Sequence, residues 1–352
     1  MRKNSQSGHQ RKLIFPLNRA LVLGILIASQ IIDLNLGSIN KMKILIGYDG
    51  SKSAEAALDD LSRAGLPAEA EALVLSIAEV WISPQSFNGN GSGVKLDADA
   101  EQRRKHLEEN QQAVGEAENF ARHAQDRLRI KFPGWKIKNE ATYGSPGWEI
   151  LNKADAFDTD LIVVGSQGRI AIGRFFLGSI SNKVLTEAKC SVRVARGKVE
   201  VDPFPVRVVI GFDGSTGAKA AVEAVARRPW REGSEIRLVA ASSQVAPVAI
   251  ERFVPPIASW VEDEVKAESE WIEKLAEGSL GILRDTGIAA TLHITAGNPK
   301  QVLIEEAEKW HADAIFVGAN SFASRLERFL LGSVSAAVAA RAHCSVEIVR
   351  AT

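Results

Sequence analysis

Cysteine is nearly absent, with two in 352 residues. That excludes a disulfide-stapled scaffold and a Cys-based zinc module. A charge excess is missing too, since Lys plus Arg and Asp plus Glu each number 43. A general nucleic-acid binder carries a basic excess, so no nucleic-acid partner is expected. The apolar run from Ala20 to Ile32 covers 13 residues, and a membrane-spanning helix needs about 20. A membrane span is therefore not expected. The six histidines (His9, His106, His123, His293, His311, His343) are scattered. None pairs at metal-ligand spacing or neighbours a Ser or Cys in a nucleophile motif, so no metal and no catalytic residue is assigned. What remains is a neutral, reduced, cytoplasmic protein able to bury ordinary cores.

The length fits two domains at about 150 residues each. Residues 1–42 stand apart from both. They carry Arg2, Lys3, Arg11, Lys12 and Arg19 ahead of the apolar run. The favoured reading is a disordered extension or a mis-assigned start, with translation beginning at Met42. The alternatives are a membrane-associating leader and a cleaved signal peptide, although no small-x-small cleavage site follows the run.

An internal repeat organises the rest. KILIGYDGSKSAEAAL (43–58) is echoed by RVVIGFDGSTGAKAAV (207–222). Ile46, Gly47, Asp49, Gly50, Ser51, Ala54, Ala56 and Ala57 recur as Ile210, Gly211, Asp213, Gly214, Ser215, Ala218, Ala220 and Ala221, at one constant offset. Each copy is an apolar strand, a DGS turn and an Ala-rich helix, with Ser51 and Ser215 as candidate N-caps. The ends of the halves repeat as well: DLIVVG (160–165) with DAIFVG (313–318), RFFLGS (174–179) with RFLLGS (328–333), and Cys190-Ser191-Val192 with Cys344-Ser345-Val346. The expected domains are 43–196 and 206–350, with 197–205 as a Pro-containing linker.

In the first half, strands are expected at 43–48, 72–78, 136–142, 160–165 and 191–195. Helices are expected at 52–64, 98–130, 146–156 and 179–188. Alternating strand and helix implies a doubly wound parallel α/β sheet in each half, five strands apiece. Ligands on such sheets bind beyond the carboxyl ends of the strands, near the switch in strand order.

One stretch there carries chemistry. From Gly165 to Ser179 the spacing is G-x2-G-x9-G-S. Gly165 and Gly168 permit positive φ and let backbone approach a ligand. Gly178 and Ser179 open a helix, whose free N–H groups and dipole favour an anion. The stretch is not a Walker A loop, because Lys is missing after Gly178. Packing and turn formation account for the same glycines equally well on spacing alone. Asp49 reads as a turn or capping Asp as readily as a ligand residue.

The strand ending in Gly-Tyr-Asp-Gly-Ser, the DLIVVGSQG strand and loop, the glycine motif and the final CSVRVAR strand together resemble the universal stress protein (UspA) family. The resemblance covers nearly all of 43–350, as two tandem copies. It implies a Rossmann-like, adenine nucleotide alpha hydrolase-like fold in each half, and pairing of the two halves through their final strands as a pseudo-dimer. It implies ATP, with or without Mg, in the first half. Gly47 and Asp49 would face the nucleoside, and backbone at Ile77 would hold the adenine edge. Val164, Gly165 and Gly168 would line the ribose-phosphate path. Gly178, Ser179, Ile180 and Ser181 would give backbone and hydroxyl donors to the phosphates.

The second half keeps Asp213, Gly318, Gly332, Ser333 and Ser335. It has Ser321 in place of the second glycine and one extra residue before Arg328. Weaker or absent nucleotide binding is expected there. The function expected is that of an ATP-binding stress-response regulator, non-catalytic or weakly catalytic, acting through an unknown protein partner. A nucleotide-free interaction module, an adenine-nucleotide hydrolase and further association into a homodimer stay open. The loop holding Gly89, Gly91 and Gly93 reads as surface, Arg103-Arg104-Lys105 as a solvated helix face, and Cys190 and Cys344 as packing residues. Trp260 and Trp271, with Val261, Val265 and Ile272, read as a core-facing helix stripe.

Overall fold

The computed structural model describes residues 41–79, 96–168, 177–196, 205–242, 255–319 and 331–351. The expectations for the leader, the linker, Gly89 to Gly93, Ser321 and the extra loop residue lie outside these residues. So do the side chains of Arg103, Trp260, Val261 and Val265.

The first half runs β1 (Lys43–Gly47), α1 (Lys52–Asp60) with a 3-10 turn after it (Leu61–Arg63), β2 (Glu71–Ala78), α2 (Leu96–Lys131), β3 (Lys136–Tyr143), α3 (Pro146–Phe157), β4 (Leu161–Gly165), α4 (Ser179–Glu187) and β5 (Ser191–Ala195). The second half runs β6 (Arg207–Gly211), α5 (Thr216–Ala226), β7 (Glu235–Ser242), α6 (Pro255–Asp285), β8 (Ala289–Ala296), α7 (Pro299–Lys309), β9 (Ala314–Gly318), α8 (Ser333–Arg341) and β10 (Ser345–Val349). Local chemistry sets several boundaries. Ser51 Oγ accepts the Ala54 N–H at 3.1 Å and Ser215 Oγ accepts the Ala218 N–H at 3.1 Å, so both expected caps start their helices. Gly50 in the DGS turn has φ of +74°, and a Cβ there would stand 2.5 Å from the Phe120 ring. Only glycine satisfies both conditions.

Within each half every strand pair is parallel. The two five-stranded units are one continuous sheet, in the order β3-β2-β1-β4-β5-β10-β9-β6-β7-β8. β5 and β10 join antiparallel, with Val346 opposite Val194, Glu347 opposite Arg193 and Ile348 opposite Val192. Two strand edges that would otherwise expose backbone donors and acceptors satisfy one another. In each half the order reverses between the first and fourth strands, so the crevice expected of a doubly wound sheet opens at β1 and β4.

Strand alternation decides what lies at the seam. Val192, Val194, Val346 and Ile348 face one side, in a core shared by both halves with residues of α3, α4, α7 and α8. The opposite face carries two separate cores, one per half. Between these lie Arg193 and Glu347, with 0% and 1% of their surface exposed. Arg193 donates to both carboxylate oxygens of Asp60, at 2.6 and 3.0 Å, and to Glu347 at 3.3 Å. Arg228 grips both oxygens of Glu347 and donates to the Ala64 carbonyl at 2.7 Å. Ser345 Oγ donates to Asp60 at 2.8 Å. The Arg228 guanidinium lies over the Phe316 ring, 4.9 Å from its centre. Burial alone would lower the pKa of Arg193, but Asp60 and then Glu347 outweigh it and the net shift is upward. Burial wins at Arg228, where Glu347 offsets it only in part.

Around this centre the contacts are reciprocal. Arg196 donates to the Ala342 and Ala340 carbonyls at the end of α8, at 2.6 and 3.1 Å. Arg350 donates to the Leu185 carbonyl near the end of α4 at 2.8 Å. Each half thus closes the C-terminal end of the other's last helix, where a cation suits the helix dipole.

Candidate functional site

The carboxyl ends of β1, β2 and β4 border a cavity of about 410 Å³, within the range of small-molecule sites. All ten residues singled out in the first half line it: Gly47, Asp49, Ile77, Val164, Gly165, Gly168, Gly178, Ser179, Ile180 and Ser181. The motif residues 169–176 lie outside the described residues. Sequence reasoning missed the other walls. These include Tyr48 and Ser76 from the strand ends, Ala113, Ala117 and Phe120 from α2, and Pro146 and Ile150 from α3. Nothing in the motif points to α2, because a long helix between two strands carries no glycine signature.

The cavity has two chemically different ends. Ile77, Ala78, Ala113, Ala117 and Phe120 make most of the β2–α2 side apolar, with Glu79 and Glu116 on the same side. At the other side stand Gly168, Gly178 and the first turn of α4. The N-cap of α4 is Gly178, which makes no side-chain cap bond, and Ser179 is the first helical residue rather than the cap. Its first-turn N–H groups therefore have no intrahelical partner. The Gly178 N–H itself donates to the Ser166 carbonyl at 2.8 Å. Among the described lining residues the charged ones are Asp49, Glu79 and Glu116. An anion here would depend on backbone N–H groups and the helix dipole.

Several expected roles change at atomic level. None of Gly165, Gly168 and Gly178 has positive φ. Gly165 answers to packing: a Cβ would stand 2.7 Å from the Ser53 carbonyl carbon. At Gly168 the nearest atom to a Cβ is Asp49 Oδ2, at 3.5 Å, and at Gly178 it is Gln167 Cα, at 3.4 Å. Among the described residues no atom comes closer to either Cβ, and both glycines border the cavity. The Ser181 hydroxyl is buried and donates to the Gly165 carbonyl at 2.6 Å, which commits its proton away from any phosphate. Asp49 holds the turn and borders the cavity. Its Oδ1 accepts the Ser51 N–H at 3.0 Å. The Tyr48 hydroxyl donates to Glu55, which Arg127 also binds, and this ties the β1 end to α1 and α2. Burial pushes the Tyr48 phenol up, Arg127 counters part of this, and Asp49 adds to it.

The second half keeps the local frame. Asp213 Oδ1 accepts the Ser215 N–H at 3.0 Å, and Ser335 Oγ donates to the Gly318 carbonyl at 2.6 Å. The Gly332 N–H donates to the Ala319 carbonyl at 2.7 Å. Gly332 caps α8, and Ser333 is its first residue. Two polar wall groups are lost: Phe212 stands in the place of Tyr48 and Ala240 in that of Ser76.

Other candidates resolve more simply. Cys190 and Cys344 are free thiols packed against the shared core, pushed up to about 11 and about 12, mainly by burial. Arg104 and Lys105 are exposed, as expected of a solvated face. Trp271 is a correction, for it is 61% exposed. Ile272, Ala276 and Leu283 carry the buried stripe of α6, and Trp271 lies one residue, about 100°, off it. Among the described residues no group of three or more His, Cys, Asp or Glu is placed to hold a metal ion, and no helix is long and apolar enough to cross a membrane.

The sequence profile of the universal stress protein family matches residues 41–196 and again 206–350. A universal stress protein of Mycobacterium tuberculosis is 27% identical over 216 residues, 61% of this chain and 69% of that protein. One from Mycolicibacterium smegmatis is 26% identical over 316 residues, 89% of this chain and 98% of that one. The crystal structure of a universal stress protein from Archaeoglobus fulgidus superposes with a TM-score of 0.57 at 19% identity, over 89% of this chain and 99% of its own.

Proposed function

Because the chain belongs to the universal stress protein family, we propose that its first half binds an adenine nucleotide, ATP, and that the protein is a nucleotide-responsive regulator of the stress response in the cytoplasm. The observation that carries this reading is the convergence of all ten motif residues on one cavity with an apolar end and a helix-start end. The base would lie against Ile77, Ala78, Ala117 and Phe120. The ribose would pass Asp49, and the phosphates would meet Gly168, Gly178 and the first-turn N–H groups of α4. Such a cradle needs no basic excess, in keeping with the neutral composition. Bound ATP, with Mg²⁺ among its phosphates or without it, would supply the negative charge that the uncapped helix start favours.

A protein partner would then read the nucleotide-bound form. Mass spectrometry of extracts from the natively purified full chain tests the reading, together with titration calorimetry using ATP. Co-purified adenine nucleotide, or saturable ATP binding without turnover, supports it. No adenine nucleotide in the extract and no heat with ATP would leave a nucleotide-free interaction module. Steady release of phosphate would replace the regulator by a hydrolase.

A further inference from the structure

The two long helices can be aligned through the turns they pack on. A Cβ on Gly50 would meet Phe120 at 2.5 Å, and one on Gly214 would meet Leu275 at 2.1 Å. Phe120 of α2 and Leu275 of α6 therefore occupy equivalent places. Along the same register Ala117 pairs with Ile272, Ala121 with Ala276, and Leu128 with Leu283, and all six are buried. The pairs match in size except the first. Ala117 is a wall of the first-half cavity. Its counterpart Ile272 is 6% exposed and carries three more carbons. One turn earlier, cavity-lining Ala113 is matched by the half-buried Glu268. Both small residues that α2 turns towards the cavity are thus larger in α6. The facing strand changes the other way, with Ala241 in place of Ile77. At these places the second half is bulkier at Ile272 and Glu268 and slimmer at Leu275 and Ala241.

We infer that Ala117 is a specificity-determining residue of the nucleotide site, and that Ile272 is what bars the same ligand from the second half. This deepens the nucleotide reading above and rests on it. A flat base needs a methyl-sized wall on the helix side, and a sec-butyl group there fills the slot. The ligand is thereby limited to one per chain by the side-chain volume of α2 and α6, in addition to any effect of the altered glycine loop.

The test is calorimetry with ATP on the full-length wild type, Ala117→Ile and Glu118→Ile, with thermal unfolding of each. Glu118 is exposed on the same helix, so its variant controls for the added bulk. Wild type is expected to bind one ATP per chain. Ala117→Ile is expected to weaken binding by about 30-fold, in the range that one or a few misplaced methylenes impose on an apolar pocket. It should fold, because the second half folds around isoleucine at that place. Should it unfold, Ala117→Val replaces it, with about tenfold weakening expected. Glu118→Ile should bind like wild type. Unchanged ATP affinity in the folded Ala117 variant overturns the inference, and so does wild type binding two ATP per chain with equal affinity. A wild type that binds no adenine nucleotide overturns the underlying reading instead.

Discussion

A Cβ placed on Gly165 would stand 2.7 Å from the Ser53 backbone, whereas one on Gly168 meets Asp49 Oδ2 at 3.5 Å. The two positions therefore part company on substitution. Gly165→Ala is expected to cost about 2 kcal/mol of stability, the usual effect of overpacking, seen as a lower midpoint in urea. Gly168→Ala is expected to unfold at the wild-type midpoint and to bind ATP at least about tenfold more weakly, since its methyl enters the cavity. Equal stability losses in the two would remove the distinction. Spacing marks both glycines but not their reasons, because the Ser53 backbone belongs to α1, far from Gly165 of β4 in the sequence. In the same way the sequence pointed to Ser181 without showing that its hydroxyl is committed to the Gly165 carbonyl.

At the level of elements, the repeat and the apolar periodicity locate the strands within a residue or two. β1, β3 and β5 lie where alternating and apolar runs put them. The start of α4 is less legible. Spacing places Gly178 and Ser179 at the helix opening without saying which is the cap, and backbone geometry gives it to Gly178, whose φ is −61° and ψ 152°. Of the stripe expected on α6, Ile272 is buried, whereas Trp271 lies one step off the small and aliphatic residues that fill the core. The helix ends carry a prediction. Arg350 closes α4 of the other half through the Leu185 carbonyl, so Arg350→Met should lower stability by about 1–3 kcal/mol, the cost of stranding buried acceptors. Urea unfolding of the full chain measures it. A variant with wild-type stability would show that these carbonyls find other partners.

The whole molecule depends on the seam. The sequence repeats Cys-Ser-Val in both final strands but sets Arg193 in one and Glu347 in the other, a difference visible only once the strands are known to meet. Removing one partner of a buried ion network leaves charge unpaired and costs about 3–5 kcal/mol. Glu347→Gln should therefore destabilise the whole chain by roughly that amount. Chemical unfolding followed at neutral pH checks this. A loss under about 1 kcal/mol would mean that the seam is held by its apolar face alone.

That centre also says what joining two halves in one chain makes available. In a dimer with true two-fold symmetry every substitution occurs twice, and the residue on the axis meets itself. A lone arginine there would face an arginine, and a lone glutamate a glutamate. Covalent linkage lifts that constraint, and the axis of this sheet carries opposite charges at its paired positions, Arg193 and Glu347. The same freedom extends to the two crevices. Because the halves run antiparallel across the seam, their strand ends open on opposite edges of the sheet. A change at one edge is not copied to the other, so the two crevices are free to diverge.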